Sequence, residues 1–332
     1  LMSLPVYVLV LLAYRRPEAA EAALKYLVLG GAATATFLMG VSLLFGNSGS
    51  MALTTFAQAL GSTSTLAQAA VVLIVVSFFL KAAVVPFHAW APDAYEAASI
   101  PVTAYMATII KAGVLLAMVR LFANAPVTSP MVELIAILPL ASMVWGNLTA
   151  MRQTSFRRMI AYSSIAHAGY LFYALLGAGE TRLQAIVFYL LAYGLMNLLA
   201  FAAIAPHADD KRRDDLDAMR GLFQRDPWAA LMIGLAMLSL AGIPPLPGFI
   251  AKFLIFKNVI AAGYTMYAVL GLIGSYLGIY FYLRVIQYMF MSTREPAAGV
   301  AITQRAAVGA GVICLIPAVI VSVLPGWVIG LL

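Results

Sequence analysis

Apolar residues fall along this chain in long blocks joined by short polar links. Ten such blocks can be marked, over 1–14, 17–45, 66–86, 101–123, 131–151, 156–176, 183–205, 228–256, 264–291 and 304–332. A helix needs about 20 apolar residues to cross a bilayer, so nine blocks read as membrane spans. The first is short, and the chain is expected to be a fragment that begins in mid-span. Two blocks are interrupted. In one, Lys81 is followed by Pro86-Phe-His88-Ala-Trp90-Ala-Pro92-Asp93; in the other, Leu240-Ala-Gly-Ile-Pro244-Pro245-Leu-Pro247-Gly-Phe leads to Lys252. Non-helical backbone at membrane depth survives only inside protein or beside a wet cavity. The two interrupted spans run in opposite directions, which predicts inverted repeats with a pathway near the midplane.

Composition supports the membrane reading. The chain is 64% hydrophobic and 10% charged, against roughly 25% charged in soluble domains. Its single cysteine, Cys314, excludes an intrachain disulfide or a cysteine-ligated cluster, and its three histidines form no metal-binding spacing. No glycine-rich phosphate loop is present. This chain is expected to carry no redox cofactor of its own.

The net charge of +7 is explained by topology rather than by nucleic acid. Arg15, Arg16, Arg152, Arg157, Arg158, Lys211, Arg212, Arg213, Arg220, Arg225, Arg294 and Arg305 fall on one side of the predicted spans. Arg120, Arg182 and Lys257 fall on the other. Twelve against three places the first set in the cytoplasm and the C-terminus on the opposite, periplasmic face. Residues 46–65 read as a long uncharged loop and 206–227 as a solvated charged one with room for a short amphipathic helix at the interface. Pro17 suits the first turn of the second helix, with Glu18 and Glu21 near its positive end.

The two basic residue types are used differently. Nearly all the arginines mark loops and span ends, whereas Lys25, Lys81, Lys111 and Lys252 lie inside apolar runs. A charge at the bilayer centre costs about 2.5–3.5 kcal/mol on insertion scales. A desolvated lysine can exchange its proton and an arginine in practice cannot, so the intramembrane lysines read as proton stations. Lys25 has an ordinary alternative, an i,i+4 pair with Glu21. Lys111, ten residues into its span, is poorly placed to snorkel. Lys81 and Lys252 each sit beside a break, while Lys257 reads as an interface anchor. His88 lies at the first break, where it either relays protons or ties off freed carbonyls, and His207 is a loop residue. His167 sits in a polar stripe, Tyr162-Ser163-Ser164-Ile-Ala-His167-Ala-Gly-Tyr170, that suits a proton relay as well as a hydrogen-bonded packing histidine.

Three stretches together resemble a known family. These are Lys81-x4-Pro86-Phe-His-x-Trp-x-Pro-Asp93 with Pro101-Val-Thr and Lys111 beyond it, Phe156-Arg-Arg-Met-Ile-Ala-Tyr-Ser-Ser-Ile-Ala-His167-Ala-Gly-Tyr, and Leu240 to Phe253. They are similar to the antiporter-like membrane subunits of complex I, the proton-pumping NADH:quinone oxidoreductase, and most like its subunit N branch. The resemblance implies an all-α polytopic membrane protein of inverted five-helix repeats with two discontinuous helices. The remainder of the first repeat would occupy 1–123, the second repeat 131–291 and a C-terminal transmembrane helix 304–332. It implies proton-relay roles for Lys81, Lys111, Lys252 and Lys25, the last paired with a glutamate expected just before Leu1. It also implies NADH, FMN, iron–sulfur clusters and quinone elsewhere in the complex. The partners would be the other membrane and peripheral subunits and the lipid bilayer, in a bacterial inner membrane. The alternatives are a subunit of a multi-subunit sodium/proton antiporter or membrane-bound hydrogenase, a stand-alone solute permease, and a non-conducting structural subunit.

Overall fold

Peptide groups in hydrocarbon can be satisfied only within a helix or a closed barrel. The computed structural model describes residues 3–12, 18–122, 129–177, 179–204, 215–291 and 305–331, and among them it is built of helices with no strand. In chain order these are α1 (Ser3–Leu11), α2 (Glu18–Ser48), α3 (Leu53–Leu60), α4 (Thr65–Ala82), α5 (Trp90–Ala97) and α6 (Ile100–Tyr105). A π-helical turn, Met106–Ile110, runs into α7 (Lys111–Phe122). Then come α8 (Ser129–Ala150), α9 (Phe156–Tyr173), α10 (Gly179–Ile204), α11 (Leu222–Arg225), α12 (Pro227–Ala241) and α13 (Pro247–Ala261). The last three are α14 (Thr265–Met291), α15 (Arg305–Val323) and α16 (Pro325–Leu331).

Seven of the described helical segments are long and apolar enough to cross a membrane, and an eighth counts if α15 and α16 form one bent span. They differ sharply in burial. In α9 94% of the most apolar window is buried, against 22% in α2 and 33% in α14. The bundle is therefore arranged around α9, with α2 and α14 presenting apolar faces outward. Small residues bring α8 and α9 together: a Cβ on Gly169 would lie 2.5 Å from the Pro139 carbonyl, and one on Gly146 2.8 Å from Tyr162 O. Close backbone approach of this kind is how helices associate where no hydrophobic drive separates protein from lipid.

Both interruptions foreseen from the prolines are present. After α4 the chain turns at Ala83, whose φ is 61°, passes a cis Val85–Pro86 bond and resumes as α5. After α12 it turns at Gly242 (φ 87°), passes a cis Pro244–Pro245 bond and resumes as α13. Side chains satisfy the backbone groups these turns release. Trp90 Nε1 donates to Leu80 O at 3.0 Å, and the Val85 N–H donates to Ser142 Oγ at 2.7 Å. At the second break Lys252 Nζ donates to Ala241 O at 3.0 Å, and the Gly248 N–H donates to Ser239 Oγ at 3.0 Å.

The structure departs from the sequence reading in three places. Residues 46–65 are not all loop, because α3 buries Thr55, Phe56, Ala59 and Leu60 on one helical face. The segment read as one helix over 304–332 is two, meeting at 98°, because Pro325 has no amide proton to continue α15 and disfavours helical backbone at Leu324. Arg157, placed with the loop arginines, is only 1% exposed and donates from Nη1 to the Ala98 carbonyl at 2.6 Å. In 206–227, where the sequence leaves room for a short helix, the described residues form a 3₁₀ turn, Leu216–Met219, and then α11. Leu1, Arg15, Arg16, Pro17, His207, Lys211, Arg212, Arg213 and Arg294 lie outside the described residues, as does the side chain of Arg305.

A charged donor to a buried carbonyl contributes about 1.5–3 kcal/mol. Arg157→Ala is therefore expected to lower stability by roughly that amount, visible as an earlier thermal transition of the detergent-solubilised protein. An unchanged transition would show that the Ala98 carbonyl finds another partner.

Candidate functional site

The site is assembled on α9. Ser163, His167 and Tyr170 recur at four- and three-residue spacing, so they share one helical face, and Ser164 stands beside them. All four are buried. Lys111, 4% exposed, begins α7 immediately after the π turn and donates from Nζ to the carbonyl of Ser164. The hydroxyl of the same serine accepts from Tyr193 at 3.0 Å and lies 3.3 Å from the hydroxyl of Tyr95 on α5.

One turn further along α9, His167 is held at both ring nitrogens. Nδ1 lies 2.7 Å from the Tyr189 hydroxyl and Nε2 3.0 Å from that of Tyr282. A neutral imidazole donates from one nitrogen and accepts at the other, so the two phenols hold opposite roles and exchange them if the tautomer changes. Tyr282 also meets Ser163 Oγ at 2.5 Å. A small cavity lies against His167, Tyr189, Tyr193, Ser239 and Gly248. Lys252, on α13 past the second break, is buried, with its ammonium 5.1 Å from the centre of the Tyr170 ring. That ring stands 5.6 Å from the His167 ring, and the Tyr170 hydroxyl accepts from Asn147 at 3.3 Å.

Lys81 and Lys25 belong to the other flank. Lys81 ends α4, half-buried, and its ammonium donates to Gly30 O at 3.1 Å and to the Tyr7 hydroxyl at 3.4 Å. Gly30 leaves room for this arrangement, since a Cβ there would fall 2.0 Å from Tyr7 Oη. Tyr7 packs edge-on against Tyr26, which stacks on Trp90. Lys25 sits 2.6 Å from Glu21 and 2.7 Å from Asp93. Arg158 in turn contacts Asp93 and Glu96, each at 2.9 Å. The i,i+4 pair foreseen for Lys25 is present, but it also reaches across to the first break. His88 Nε2 accepts from Trp145 Nε1 at 3.0 Å, tying the break to α8.

The structure thus gathers Lys111, His167 and Lys252 along α9, while Lys81 donates to Tyr7 of α1 and Gly30 of α2. The sequence reading missed Tyr95, Tyr189, Tyr193, Tyr282 and Asn147. A signal was available for part of this set: Tyr189, Tyr193 and Asn197 recur every four residues in an apolar span, and buried phenols and amides require partners. Chemically, the assembly is a row of amines, hydroxyls and an imidazole, each able to give and take a proton. Among the described residues no group of histidine, cysteine or carboxylate side chains is placed to hold a metal.

Comparison with known proteins gives consistent matches. The family model described as NADH:quinone oxidoreductase/Mrp antiporter, TM, matches residues 1–278. NADH-quinone oxidoreductase subunit N of Pelobacter propionicus is 44% identical over 295 residues, which cover 89% of this chain and 63% of that protein. The chain therefore spans under two thirds of that relative's length. A chain of respiratory complex I from Thermus thermophilus, solved with bound aureothin, matches with a TM-score of 0.85 at 39% identity, over 99% of this chain and 72% of that one. A chain of the Mrp complex from Dietzia matches with a TM-score of 0.85 at 23% identity, over 99% of this chain and 70% of that one. The last is a likeness of fold.

Proposed function

Since the chain belongs to the NADH:quinone oxidoreductase/Mrp antiporter transmembrane family, we propose that it is a proton-translocating, subunit N-type part of a bacterial complex I. The observation that carries this is the buried row from Lys111 through Ser164 and His167 to Tyr170 and Lys252. Two lysines beside helix irregularities, with hydroxyls and an imidazole packed between them, are far more polar chemistry than packing needs. Intramembrane ionisable residues mark ion pathways as a rule.

In this reading Lys81 loads from the cytoplasmic side. Its proton passes to Lys111 and along the His167 row, and Lys252 releases it outward. Lys25 adjusts the field at the loading end. The two breaks divide the chain into a first repeat over 1–123 and an inverted second over 131–291, with 304–332 beyond them and the C-terminus in the periplasm. NADH, FMN, iron–sulfur clusters and quinone belong to partner subunits, and electron transfer there drives the charge changes here.

A second reading, a subunit of a cation/proton antiporter, draws on the fold shared with the Mrp complex. Affinity purification of the tagged protein from its native membrane separates the two. A complex I subunit is expected to bring down flavin- and iron–sulfur-containing proteins and to oxidise NADH with proton uptake into inverted vesicles. A flavin-free assembly that exchanges sodium for protons would overturn the complex I reading.

A further inference from the structure

The short helix α5 has two faces with different partners. Asp93 and Glu96, three residues apart, carry the ion pairs to Lys25 on α2 and to Arg158 on α9. Tyr95, two residues from Asp93 and so on nearly the opposite side of the helix, is 1% exposed and meets Ser164 Oγ at 3.3 Å. Ser164 is the residue whose carbonyl receives Lys111. The helix is pinned at both ends. Trp90 Nε1 donates to Leu80 O at 3.0 Å, Thr103 Oγ1 donates to Tyr95 O at 2.9 Å, and Arg157 donates to Ala98 O at 2.6 Å. A helix of eight residues is about 12 Å long and moves as one piece.

From this we infer that α5 is a lever by which the Lys25–Asp93–Arg158 ion pairs set the position of Tyr95 and, through Ser164, the proton exchange of Lys111. The inference rests on the proton-translocating role proposed above. Asp93 and Tyr95 are positioning residues in it. With the ion pairs intact, Tyr95 fixes where the single proton of Ser164 Oγ points, and so whether Tyr193 donates to it. Loss of the Lys25–Asp93 pair lets α5 turn about the contacts that hold its ends, and the hydroxyl row beside Lys111 loses its order. The lever also gives Lys25 a route to the buried row that its own contacts, to Glu21 and Asp93, do not supply.

A double-mutant cycle on the assembled complex in inverted membrane vesicles tests this, with NADH-driven proton uptake measured across a range of pH. Tyr95→Phe keeps the ring and removes the hydroxyl. Asp93→Asn keeps the shape and removes the charge. Each is expected to slow uptake roughly 3- to 10-fold, as loss of one hydrogen bond or ion pair allows, and to alter the pH profile in the same way. The double variant is expected to be no slower than the slower single one, because contacts in one chain of coupling are not additive. Asp93→Glu is expected to restore much of the rate. If the two effects multiply, to roughly 10- to 100-fold, α5 transmits nothing and the inference fails. Should Asp93→Asn fail to assemble, Lys25→Gln removes the same pair from its other end and takes its place in the cycle. Lys111→Ala, run alongside, separates this from the broader reading. Full pumping in that variant overturns proton translocation through this chain, whereas multiplying effects beside an inactive Lys111→Ala overturn the lever alone.

Discussion

Lys111→Ala is expected to reduce NADH-driven proton uptake to background in vesicles carrying the assembled complex. Lys111 sits at 4% exposure with its ammonium on the Ser164 carbonyl and 6.0 Å from the Tyr193 ring centre. Buried in this way, it is the amine on which the proposed path depends. Positioned acid–base groups contribute about 10²–10⁴ in rate, and the loss should fall in that range. Removing a costly buried charge does not unfold the protein when the amine's partner is a helix carbonyl that keeps its own helical bonding. Assembly, measured by co-purification, should therefore stay near normal, and the defect reads as function. Lys111→Arg sharpens the test, since a guanidinium keeps the charge but does not release its proton. It is expected to be as inactive as the alanine variant. Pumping that survives in both would remove Lys111 from the path.

The second large effect is structural. Gly248→Ala places a Cβ 1.8 Å from the carbonyl oxygen of Ser239 and 3.0 Å from its Oγ, with the carbonyl carbon at 2.7 Å. The obstacle is backbone on the facing half-helix, which cannot rotate away, and the same glycine donates its N–H to Ser239 Oγ. Overpacking of this kind costs about 1–3 kcal/mol and sometimes more, and here it acts on the joint that positions Lys252. The variant is expected to yield little assembled protein and to melt earlier. Gly31→Ala is the control, because nothing lies within 4 Å of a Cβ there and α2 should gain from the better helix former. Normal yield of Gly248→Ala would show that α12 and α13 separate more easily than their contact suggests.

What could be read from the chain was whatever is rare in a membrane span. Lysine in an apolar run and proline in mid-span announce themselves one residue at a time, so Lys81, Lys111, Lys252 and both breaks were legible. The stripe through Ser163, His167 and Tyr170 was legible because helical spacing puts it on one face. The partners were not. Tyr95, Tyr189 and Tyr282 look like the other aromatics of a hydrophobic chain until folding sets their hydroxyls beside Ser164 and His167. Asp93 stands 68 residues from Lys25, and no local pattern joins them. Arg157 was misplaced for a related reason. A residue at a span end is exposed or buried according to what packs over it, and here Ala98, just past the end of α5, supplies a carbonyl that needs a donor. The helix α3 was hidden by glycines, serines and threonines on both flanks, although its own buried face is regular.

The wide turn at Met106–Ile110 has a consequence for Lys111. In an unbroken α-helix residues seven apart stand almost in line, so Lys111 would continue the row of Ala104. A π turn inserts the equivalent of one residue, which rotates all that follows by roughly 100° about the helix axis. The two halves of this span therefore answer to different neighbours, and the phase slip between them aims the lysine. Any process that tightened the turn to ordinary α-helix would swing the amine off the Ser164 carbonyl by helix winding alone, without a hinge, α7 turning about its own axis as it did so.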